Sequence, residues 1–448
     1  MNKRTNFGTT LGAIATLAGS AVGLGNIWKF PYIVGENGGG AFILLYIVFI
    51  LLIGFPVMLA ELSIGRHAQK NAIGAFRTIA PNTKWFLMGV FSIVISILIL
   101  SYYSTVSGWT LEYIFLSLKG EFNATGGNIN VESIYNDFIS SPFKVLLSQF
   151  LFIAITAAVI ILGVKKGIEK FSKIMMPILF LILIALGINA ICLPAAKEGL
   201  NYLFIPRFDQ LTSESVIAAL GQSFFSLSVG MGVLLTYSSY LKKSESLVSI
   251  SLKVIAADTI VAILAGVAII PAVFNYGLEL GAGPGLVFIT LPQVFSSMPG
   301  GVIWAVLFFI LLAFAALTST ISLLEVPVSY AIERFKVSRG VVTCIIALLI
   351  FGIGIFNSIS FNILKDVSIF GLSIFEAFDY LCSNILMPMG GIFMCIFAGW
   401  YLKSTFLIRE VGGDISSPSV FIRIYVIILR YIAPISIFMV MLNALNLF

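Results

Sequence analysis

Two stretches of this sequence place glycines and polar residues inside runs that are otherwise apolar. The first is residues 18–26, Ala-Gly-Ser-Ala-Val-Gly-Leu-Gly-Asn, and the second is residues 224–232, Phe-Phe-Ser-Leu-Ser-Val-Gly-Met-Gly. Glycine favours leaving a helix, and unwinding frees backbone N–H groups that can bind an anion and carbonyls that, with hydroxyls, can bind a cation. The alternative is that these small residues only let neighbouring helices pack closely.

Few residues could support other chemistry. His67 is the single histidine, and the four cysteines, Cys192, Cys344, Cys382 and Cys395, have no Cys-x-x-Cys spacing. We interpret these cysteines as buried thiols. A zinc site or a histidine-based catalytic cluster would need more such residues. The sequence therefore predicts that the chain is not an enzyme.

The elements that must position the two stretches are membrane helices. Of the 448 residues, 59% are hydrophobic and 10% are charged, whereas a soluble protein carries roughly 25% charged residues. The net charge of +6 is too scattered along the chain for a nucleic-acid-binding surface. Apolar runs of about 20 residues, the length that crosses a bilayer, predict eleven spans, numbered here in chain order. They are residues 7–35, 39–68, 84–118, 143–163, 167–193, 214–241, 248–277, 301–335, 339–357, 374–403 and 419–446.

The connections between spans give the orientation. Most of the 26 Lys and Arg residues precede span 1 or lie in alternate connections, beginning with that between spans 2 and 3. Because Lys and Arg favour cytoplasmic loops, this pattern predicts a cytoplasmic N-terminus and an external C-terminus. Arg430 lies within span 11 and either faces the helix bundle or extends to the interface. The Gly- and Pro-rich residues 280–300 predict an ordered extramembrane loop that has room for a short helix.

The two glycine-rich stretches fall in spans 1 and 6, so each opens a set of five spans. Interrupted helices at corresponding positions of two halves indicate a transporter with a binding site near the bilayer midplane. Because five is an odd number, span 6 crosses the membrane in the opposite direction to span 1. The second set of spans is therefore inverted relative to the first. The sequence therefore predicts one repeat in residues 1–193, a second in residues 214–403, and an additional span in residues 419–446.

Several motifs in the chain resemble the neurotransmitter:sodium symporter family, whose structural prototype is the bacterial leucine transporter. They lie in the family's order and cover nearly the whole chain. The motifs are Gly19-Ser-Ala-Val-Gly-Leu-Gly-Asn-Ile-Trp-Lys-Phe-Pro-Tyr32, residues 36–42, Gly54-Phe-Pro with Glu61 and Gly65-Arg66, Tyr102-Tyr103 before Trp109, residues 221–232, and Leu317-Thr-Ser-Thr-Ile321. Eleven spans are similar to a bacterial subgroup that lacks the usual twelfth. The resemblance implies an all-α polytopic protein of a bacterial plasma (inner) membrane, with a 5+5 inverted repeat, broken helices 1 and 6, and a monomeric or weakly oligomeric state.

The resemblance also implies an amino-acid substrate at the two breaks. The substrate carboxylate would meet the N–H groups of Leu24 and Gly25 and the hydroxyl of Tyr103. Gly23 leaves room for this carboxylate, where the monoamine transporters of the family carry an aspartate. The substrate ammonium would meet three carbonyls, those of Ala21, Phe225 and Ser226.

The matching side-chain pocket carries no charge, which implies a hydrophobic amino acid. It is formed by Ile99, Tyr103, Phe225, Ser228, Met231 and Leu323. Met231 replaces the phenylalanine of the prototype, and because methionine is flexible, we expect larger or aromatic substrates. Without the resemblance, Ile99, Met231 and Leu323 would equally suit a hydrophobic core.

Two sodium sites follow from the same resemblance. The first would use Ala21, Asn26, Ser226 and Asp258 together with the substrate carboxylate. The second would use Gly19, Val22, Ala315, Thr318 and Ser319. Their oxygen atoms are hard ligands that suit an alkali cation.

Asp258 stands where the family usually has asparagine. A carboxylate within a membrane span is costly and is a candidate for function. Chloride-dependent relatives need an anion near the first sodium, and Asp258 could supply that charge permanently. We therefore expect no chloride requirement; the alternative is a carboxylate near a helix end that faces water.

Gates and a hinge complete the features implied by the resemblance. The outer gate would pair Lys29 with Asp379, with Phe225 and Tyr103 closing over the substrate. The inner gate would consist of Arg4, Glu333, Tyr240 and Phe7. Gly167 and Pro177 in span 5 are similar to a family hinge that unwinds and hydrates the second sodium; an ordinary proline kink is the alternative.

The sequence thus predicts a sodium-driven symporter of hydrophobic L-amino acids that works by alternating access and contacts membrane lipid. One alternative is the same fold with a small neutral amino acid as its substrate. Another is an amino-acid sensor or channel that has lost coupled transport.

Overall fold

Apolar helices dominate the computed structural model, which describes residues 5–122, 130–278, 285–413 and 419–445. Within these residues, nine helices are long and apolar enough to cross a membrane. They are Gly40–Ala68, Phe86–Lys119, Pro142–Ile161, Val164–Ile191, Leu247–Asn275, Gly301–Phe335, Arg339–Ile359, Ile374–Tyr401 and Val420–Ala444. They correspond to spans 2–5 and 7–11, and their ends differ from the predicted ends by only a few residues.

Spans 1 and 6 are each divided into two helices. Thr10–Ala21 and Gly25–Glu36 form span 1 and are bent by 56° at the break between them. Ser213–Ser226 and Val233–Ser238 form span 6. The all-α fold that crosses the membrane repeatedly, with broken helices 1 and 6, is therefore confirmed. The count of eleven remains a prediction, because the two halves of span 6 are each short.

Short elements connect the spans. The helices among them are Ala72–Ile79, Val131–Ile139, Ala196–Phe204, Leu286–Ser296 and Ser404–Val411, together with a 3₁₀ turn at Phe208–Gln210. Strands Ser368–Ile369 and Leu372–Ser373 pair antiparallel, with Ser368 opposite Ser373. Phe370 and Gly371 join them with positive φ angles of 53° and 83°, as a tight two-residue hairpin requires.

The helix Leu286–Ser296 lies in the expected extramembrane loop and packs on one end of span 3. The Tyr113 hydroxyl donates to the Phe288 carbonyl at 2.9 Å. Trp109 packs edge-on against Phe288 and Phe361, with ring centroids 5.4 and 5.1 Å apart. The expected short helix is thus present, while residues 279–284 of that segment lie outside the described residues.

A buried polar network joins spans 3, 4 and 9. Gln149 donates through Nε2 to Ser104 Oγ at 3.0 Å and accepts at Oε1 from Ser358 Oγ at 2.9 Å. Ser358 and Thr105 share a further hydrogen bond of 3.0 Å. Because lipid offers no competing partners, such bonds hold membrane helices in register. The network fixes span 3, which carries Ile99 and Tyr103.

Arg66, at one end of span 2, ties together two connecting segments. Its side chain is 7% exposed. Nη2 lies 2.8 Å from Glu410 Oε2 in the helix Ser404–Val411, and Nη1 donates to the Glu245 carbonyl at 2.5 Å. Thr10 also donates to Glu245, through Oγ1 to Oε1 at 3.0 Å. This cluster therefore links the start of span 1 to span 2 and to the connections that follow spans 6 and 10.

Two predictions about single residues can now be compared with the structure. Arg430 faces the helix bundle, since its Nε donates to the Gly399 carbonyl at 2.6 Å and its Nη2 to Ser404 Oγ at 3.1 Å. The prediction of buried thiols is right for Cys382 and Cys395 but wrong for the other two cysteines, Cys192 and Cys344, which are exposed. An apolar sequence context does not distinguish a side chain facing lipid from one facing the protein core.

Candidate functional site

The break in span 6 depends on three residues with left-handed backbone. These are Ser228, Gly230 and Gly232, with φ angles of 54°, 87° and 76°. Such a conformation costs energy for serine, and Ser228 Oγ compensates by donating to the Ser20 carbonyl in span 1 at 2.8 Å. At Gly230, an added Cβ would lie only 2.7 Å from the Met387 carbonyl oxygen of span 10. The two breaks are thus bonded to each other, and the alternative of intact, closely packed helices is wrong.

A cavity of about 50 Å³ lies between the two breaks. Its lining includes most of the predicted substrate residues, and Leu24 is the exception. The lining residues are Ser20, Ala21, Gly23, Gly25, Asn26, Ile99, Tyr102, Tyr103, Phe225, Ser226, Ser228, Met231, Ser319, Ser322, Leu323 and Met387. Its wall is largely apolar, and none of the described residues that line it carries a charged side chain.

The groups expected to meet a carboxylate lie in or next to this cavity: Gly25 and Tyr103 line it, and Leu24 is adjacent. Leu24 donates its N–H to the Tyr103 hydroxyl at 3.1 Å, so these two groups lie side by side. A Cβ added at Gly23 would lie 2.8 Å from Ser319 Oγ and 3.2 Å from the Tyr103 hydroxyl. Since real Cβ atoms do not approach atoms that closely, a side chain at position 23 would displace one wall of the cavity.

Four side chains meet at the predicted first sodium site. Asp258 is completely buried. Its Oδ1 accepts from Asn26 Nδ2 at 2.7 Å, and its Oδ2 accepts from Ser226 Oγ at 2.7 Å and from the Tyr46 hydroxyl at 2.9 Å. Burial rejects the alternative of a carboxylate facing water. The cluster joins spans 1, 2, 6 and 7, and Tyr46 was not foreseen.

The residues predicted for the second sodium lie between spans 1 and 8. Thr318 Oγ1 lies 3.0 Å from the Ala315 carbonyl oxygen. A Cβ added at Gly19 would lie 3.2 Å from Thr318 Cβ, so the backbone of span 1 touches this turn of span 8. Ser319, the residue after Thr318, places its Oγ next to Gly23 in span 1. Val22 follows directly after the helix Thr10–Ala21, where the chain becomes extended, with φ −69° and ψ 108°.

A second cavity, of about 200 Å³, lies beyond the first. Tyr102, Tyr103, Gly25 and Phe225 line both, so they separate the two spaces. Lys29 and Asp379 also line the larger cavity. In the described part of the chain, no ion pair within 4.0 Å joins them. Lys29 Nζ instead lies 4.3 Å from the centroid of the Phe225 ring, a cation–π contact.

The described residues predicted to form the inner gate lie near the opposite end of span 1. Phe7 packs edge-on against Tyr240 at 5.8 Å and donates its N–H to the Tyr240 carbonyl at 2.9 Å. Tyr240 donates its hydroxyl to Glu325 Oε1 at 2.6 Å, and Glu325 also pairs with Arg339. Glu333 accepts from Asn71 Nδ2 at 2.5 Å. Arg4 lies outside the described residues.

The proposed hinge in span 5 is a distorted helix that holds the start of span 1. A π-helical segment, Val164–Glu169, precedes the helix that contains Pro177. Glu169 accepts from the Gly8 N–H at 2.6 Å and from Thr9 Oγ1 at 3.1 Å, and pairs with Lys173 at 2.8 Å. Gly167, two residues earlier, has no room for a side chain because a Cβ there would collide with the Val159 carbonyl.

Some residues of the site were missed from the sequence. Ser20, Tyr102, Ser322 and Met387 line the small cavity in addition to the predicted residues. Ser322 follows Ser319 by three residues, so helical spacing could have placed it on the same face. Glu169 lies in a lysine-rich stretch that is typical of solvated loops, so nothing in the sequence indicated that it contacts Gly8 and Thr9 of span 1.

Comparisons with known proteins agree with this geometry. The sequence profile of the Sodium:neurotransmitter symporter family matches residues 4–144 and 135–448. An "uncharacterized sodium-dependent transporter" of Bacillus subtilis, YhdH, is 38% identical over 445 residues, 99% of this chain and 98% of the relative. A relative of the same description in Haemophilus influenzae is 36% identical over 458 residues, 100% of this chain and 99% of the relative.

A solved structure shows the same architecture. The crystal structure of MhsT in complex with L-phenylalanine superposes with a TM-score of 0.89 and 43% sequence identity, covering 98% of this chain and 100% of that one. The fold, the broken helices and the full-length matches point to one conclusion. This chain is a multi-pass, sodium-dependent transporter that belongs to the sodium:neurotransmitter symporter family.

Proposed function

We propose that this protein couples the downhill movement of sodium to the uptake of a hydrophobic L-amino acid, preferably a large or aromatic one, by alternating access. The observation that carries the proposal is the small cavity between the breaks. Gly25 and Tyr103 line it, the Leu24 N–H lies beside the Tyr103 hydroxyl, and the described residues of its wall are largely apolar and uncharged. The bound L-phenylalanine of MhsT supports a substrate of this class.

The substrate would bind with its carboxylate toward Leu24, Gly25 and Tyr103. A carboxylate there would accept the hydrogen bonds that two backbone N–H groups and one hydroxyl can donate, and would face the positive end of a helix. The ammonium would be stabilised by the carbonyls of the two breaks. The side chain would then extend toward the apolar part of the wall, which includes Ile99, Met231 and Leu323.

Two sodium ions would travel with the substrate. The first would be bound by Ala21, Asn26, Ser226 and Asp258. Asn26 Oδ1 accepts from the Gly23 N–H at 3.1 Å while its nitrogen faces Asp258, so a rotation of this amide by 180° would turn its oxygen toward the ion. The second ion would be bound between Gly19, Val22, Ala315, Thr318 and Ser319.

Chloride independence is supported by the fixed charge of Asp258. Three side chains donate hydrogen bonds to this buried carboxylate, as they would to a bound anion. The negative charge is therefore already present beside the first sodium site. An additional anion at the same place would be repelled.

The transport cycle would alternate between the two ends of span 1. Phe225, Tyr103, Lys29 and Asp379 would close the outer side, and Phe7, Tyr240, Glu333 and Arg4 the inner side. We expect a cytoplasmic N-terminus in a bacterial inner membrane, and residues 1–193 and 214–403 as the inverted repeats.

The experiment is uptake of radiolabelled L-phenylalanine into proteoliposomes. An inward sodium gradient should concentrate the label, and replacing sodium by choline should abolish this, with chloride replaced by gluconate making no difference. Competition by unlabelled glycine stronger than that by tryptophan would favour a small neutral substrate. Sodium-stabilised binding of phenylalanine without accumulation would favour a sensor, and accumulation in choline would reject symport.

A further inference from the structure

An apolar groove lies between spans 3 and 10, away from the transport site. Its volume is about 420 Å³, and it is lined by Thr83, Lys84, Trp85, Leu87, Met88, Phe91 and Phe393. Residues 87, 88 and 91 of the helix Phe86–Lys119 recur at the spacing of one helix face, and Phe91 packs edge-on against Phe393 of span 10 at 6.2 Å. Leu87 is 51% exposed, so the groove opens outward, toward the lipid.

The two ends of this groove differ in polarity. Thr83 and Lys84 stand just before the helix Phe86–Lys119, whereas Met88, Phe91 and Phe393 are apolar. Trp85 packs on Tyr401, at the end of span 10, with ring centroids 5.6 Å apart. Trp and Tyr concentrate at the boundary between headgroups and hydrocarbon. The groove therefore leads from the level of the headgroups into the hydrocarbon.

Cations surround the polar end. Lys84 is exposed. The Arg77 guanidinium lies 5.1 Å from the ring of Phe86, two residues beyond Lys84, and Lys403 is exposed two residues after Tyr401. Across the described ranges, none of these three cations has a carboxylate within 4.0 Å, and no carboxylate lines the groove. The positive charge at this mouth is thus not neutralised by the described part of the protein.

We propose that this groove binds one anionic phospholipid. An acyl chain would lie against Met88, Phe91 and Phe393, and the phosphate would lie beside Lys84, within reach of the charges of Arg77 and Lys403. Each basic residue near an anionic headgroup strengthens binding about fivefold. A zwitterionic lipid would bring its own cation against the three basic residues and would bind more weakly.

Native mass spectrometry of the full chain, released from nanodiscs of phosphatidylcholine and phosphatidylglycerol, tests the proposal. We expect preferential retention of one phosphatidylglycerol. The Lys84→Gln variant should retain about fivefold less, while Lys253→Gln, which removes an exposed lysine near the start of span 7, should retain as much as the parent.

A second pair of variants distinguishes the contribution of the apolar groove to lipid binding from that of the basic residues. Leu87→Trp fills the groove without changing any charge and should abolish retention, whereas Leu252→Trp adds the same bulk at a side chain that is 44% exposed in span 7 and should not. The proposal would be overturned if the protein retained the two lipids equally, or if Lys84→Gln and Lys253→Gln lost the same amount of lipid. It would also be overturned if Leu87→Trp retained as much lipid as the parent.

Discussion

The Ser226 hydroxyl lies 2.7 Å from Oδ2 of Asp258, so the broken helix of span 6 is bonded directly to a buried carboxylate in span 7. Asn26 and Tyr46 bond to the same carboxylate. Two of the groups expected at the first sodium site, Asn26 and Ser226, therefore bond directly to the negatively charged carboxylate of Asp258. The predictions below begin with that charge.

Replacing Asp258 by asparagine should make transport respond to chloride. The variant keeps the shape of the side chain but removes the negative charge beside the proposed sodium. We expect sodium to bind about 10-fold more weakly without chloride, because a hydrogen-bonded charge contributes roughly 1.5–3 kcal/mol, and chloride to restore part of this loss. Sodium titrations of uptake, in chloride and in gluconate, measure both effects.

The control for this prediction is Asp366→Asn, which removes an exposed carboxylate and should leave the sodium dependence unchanged. An Asp258→Asn protein whose uptake is as indifferent to chloride as the parent would reject the proposed role of the charge.

Adding a methyl group at Gly23 should damage substrate binding. The added Cβ would lie 2.8 Å from Ser319 Oγ, so the wall between spans 1 and 8 must shift. We expect Gly23→Ala to weaken phenylalanine binding at least about 10-fold, equivalent to roughly 1.4 kcal/mol. Equilibrium binding of radiolabelled phenylalanine in sodium measures it.

Gly352→Ala provides the matched control, because the space around Gly352 in span 9 is open. This variant should bind phenylalanine normally and gain helix stability, by up to about 1 kcal/mol. Normal binding by Gly23→Ala would show that the substrate carboxylate does not lie at this break.

Removing Glu169 should loosen the start of span 1. Its carboxylate accepts hydrogen bonds from Gly8 and Thr9, and the Glu169→Ala variant leaves those groups without that partner. We expect a cysteine placed at the buried Thr16, in a protein without its native cysteines, to react with a maleimide several-fold faster. The matched control is Glu198→Ala, an exposed position in another connection. A labelling rate that Glu169→Ala does not change would show that this contact does not hold span 1 closed.

Breaking the Arg66 cluster should reduce stability rather than substrate affinity. Arg66→Gln leaves Glu410 and the Glu245 carbonyl without their buried partner, and removing one member of a buried pair costs about 3–5 kcal/mol. The midpoint of thermal unfolding in detergent should fall by several degrees, whereas Arg409→Gln, at an exposed neighbour of Glu410, should leave it unchanged.

The double variant Arg66→Gln/Glu410→Gln tests whether the two side chains form a direct pair. Because it removes both charges, its loss of stability should be smaller than the sum of the losses in the two single variants. Strictly additive losses would argue against a direct pair.

The fold was predictable because span length and glycine position are properties of short segments. Asp258 was recognisable for a similar reason, since a carboxylate in an apolar run is rare. Tyr46 was not, because an aromatic residue in an apolar helix has the same local pattern whether or not its hydroxyl binds a carboxylate. The spacing of Lys29 from Asp379 depends on how spans 1 and 10 approach each other, which neither local sequence determines.

The contact between Gly230 and span 10 has a mechanical consequence. Gly230 sits against the backbone of residues 387–391, and its N–H is bonded to Glu61 of span 2 at 2.6 Å. With no side chain between the two backbones, there is no soft layer that could absorb a displacement. If the break in span 6 rotates, the neighbouring segments of spans 2 and 10 must therefore move with it as one rigid body.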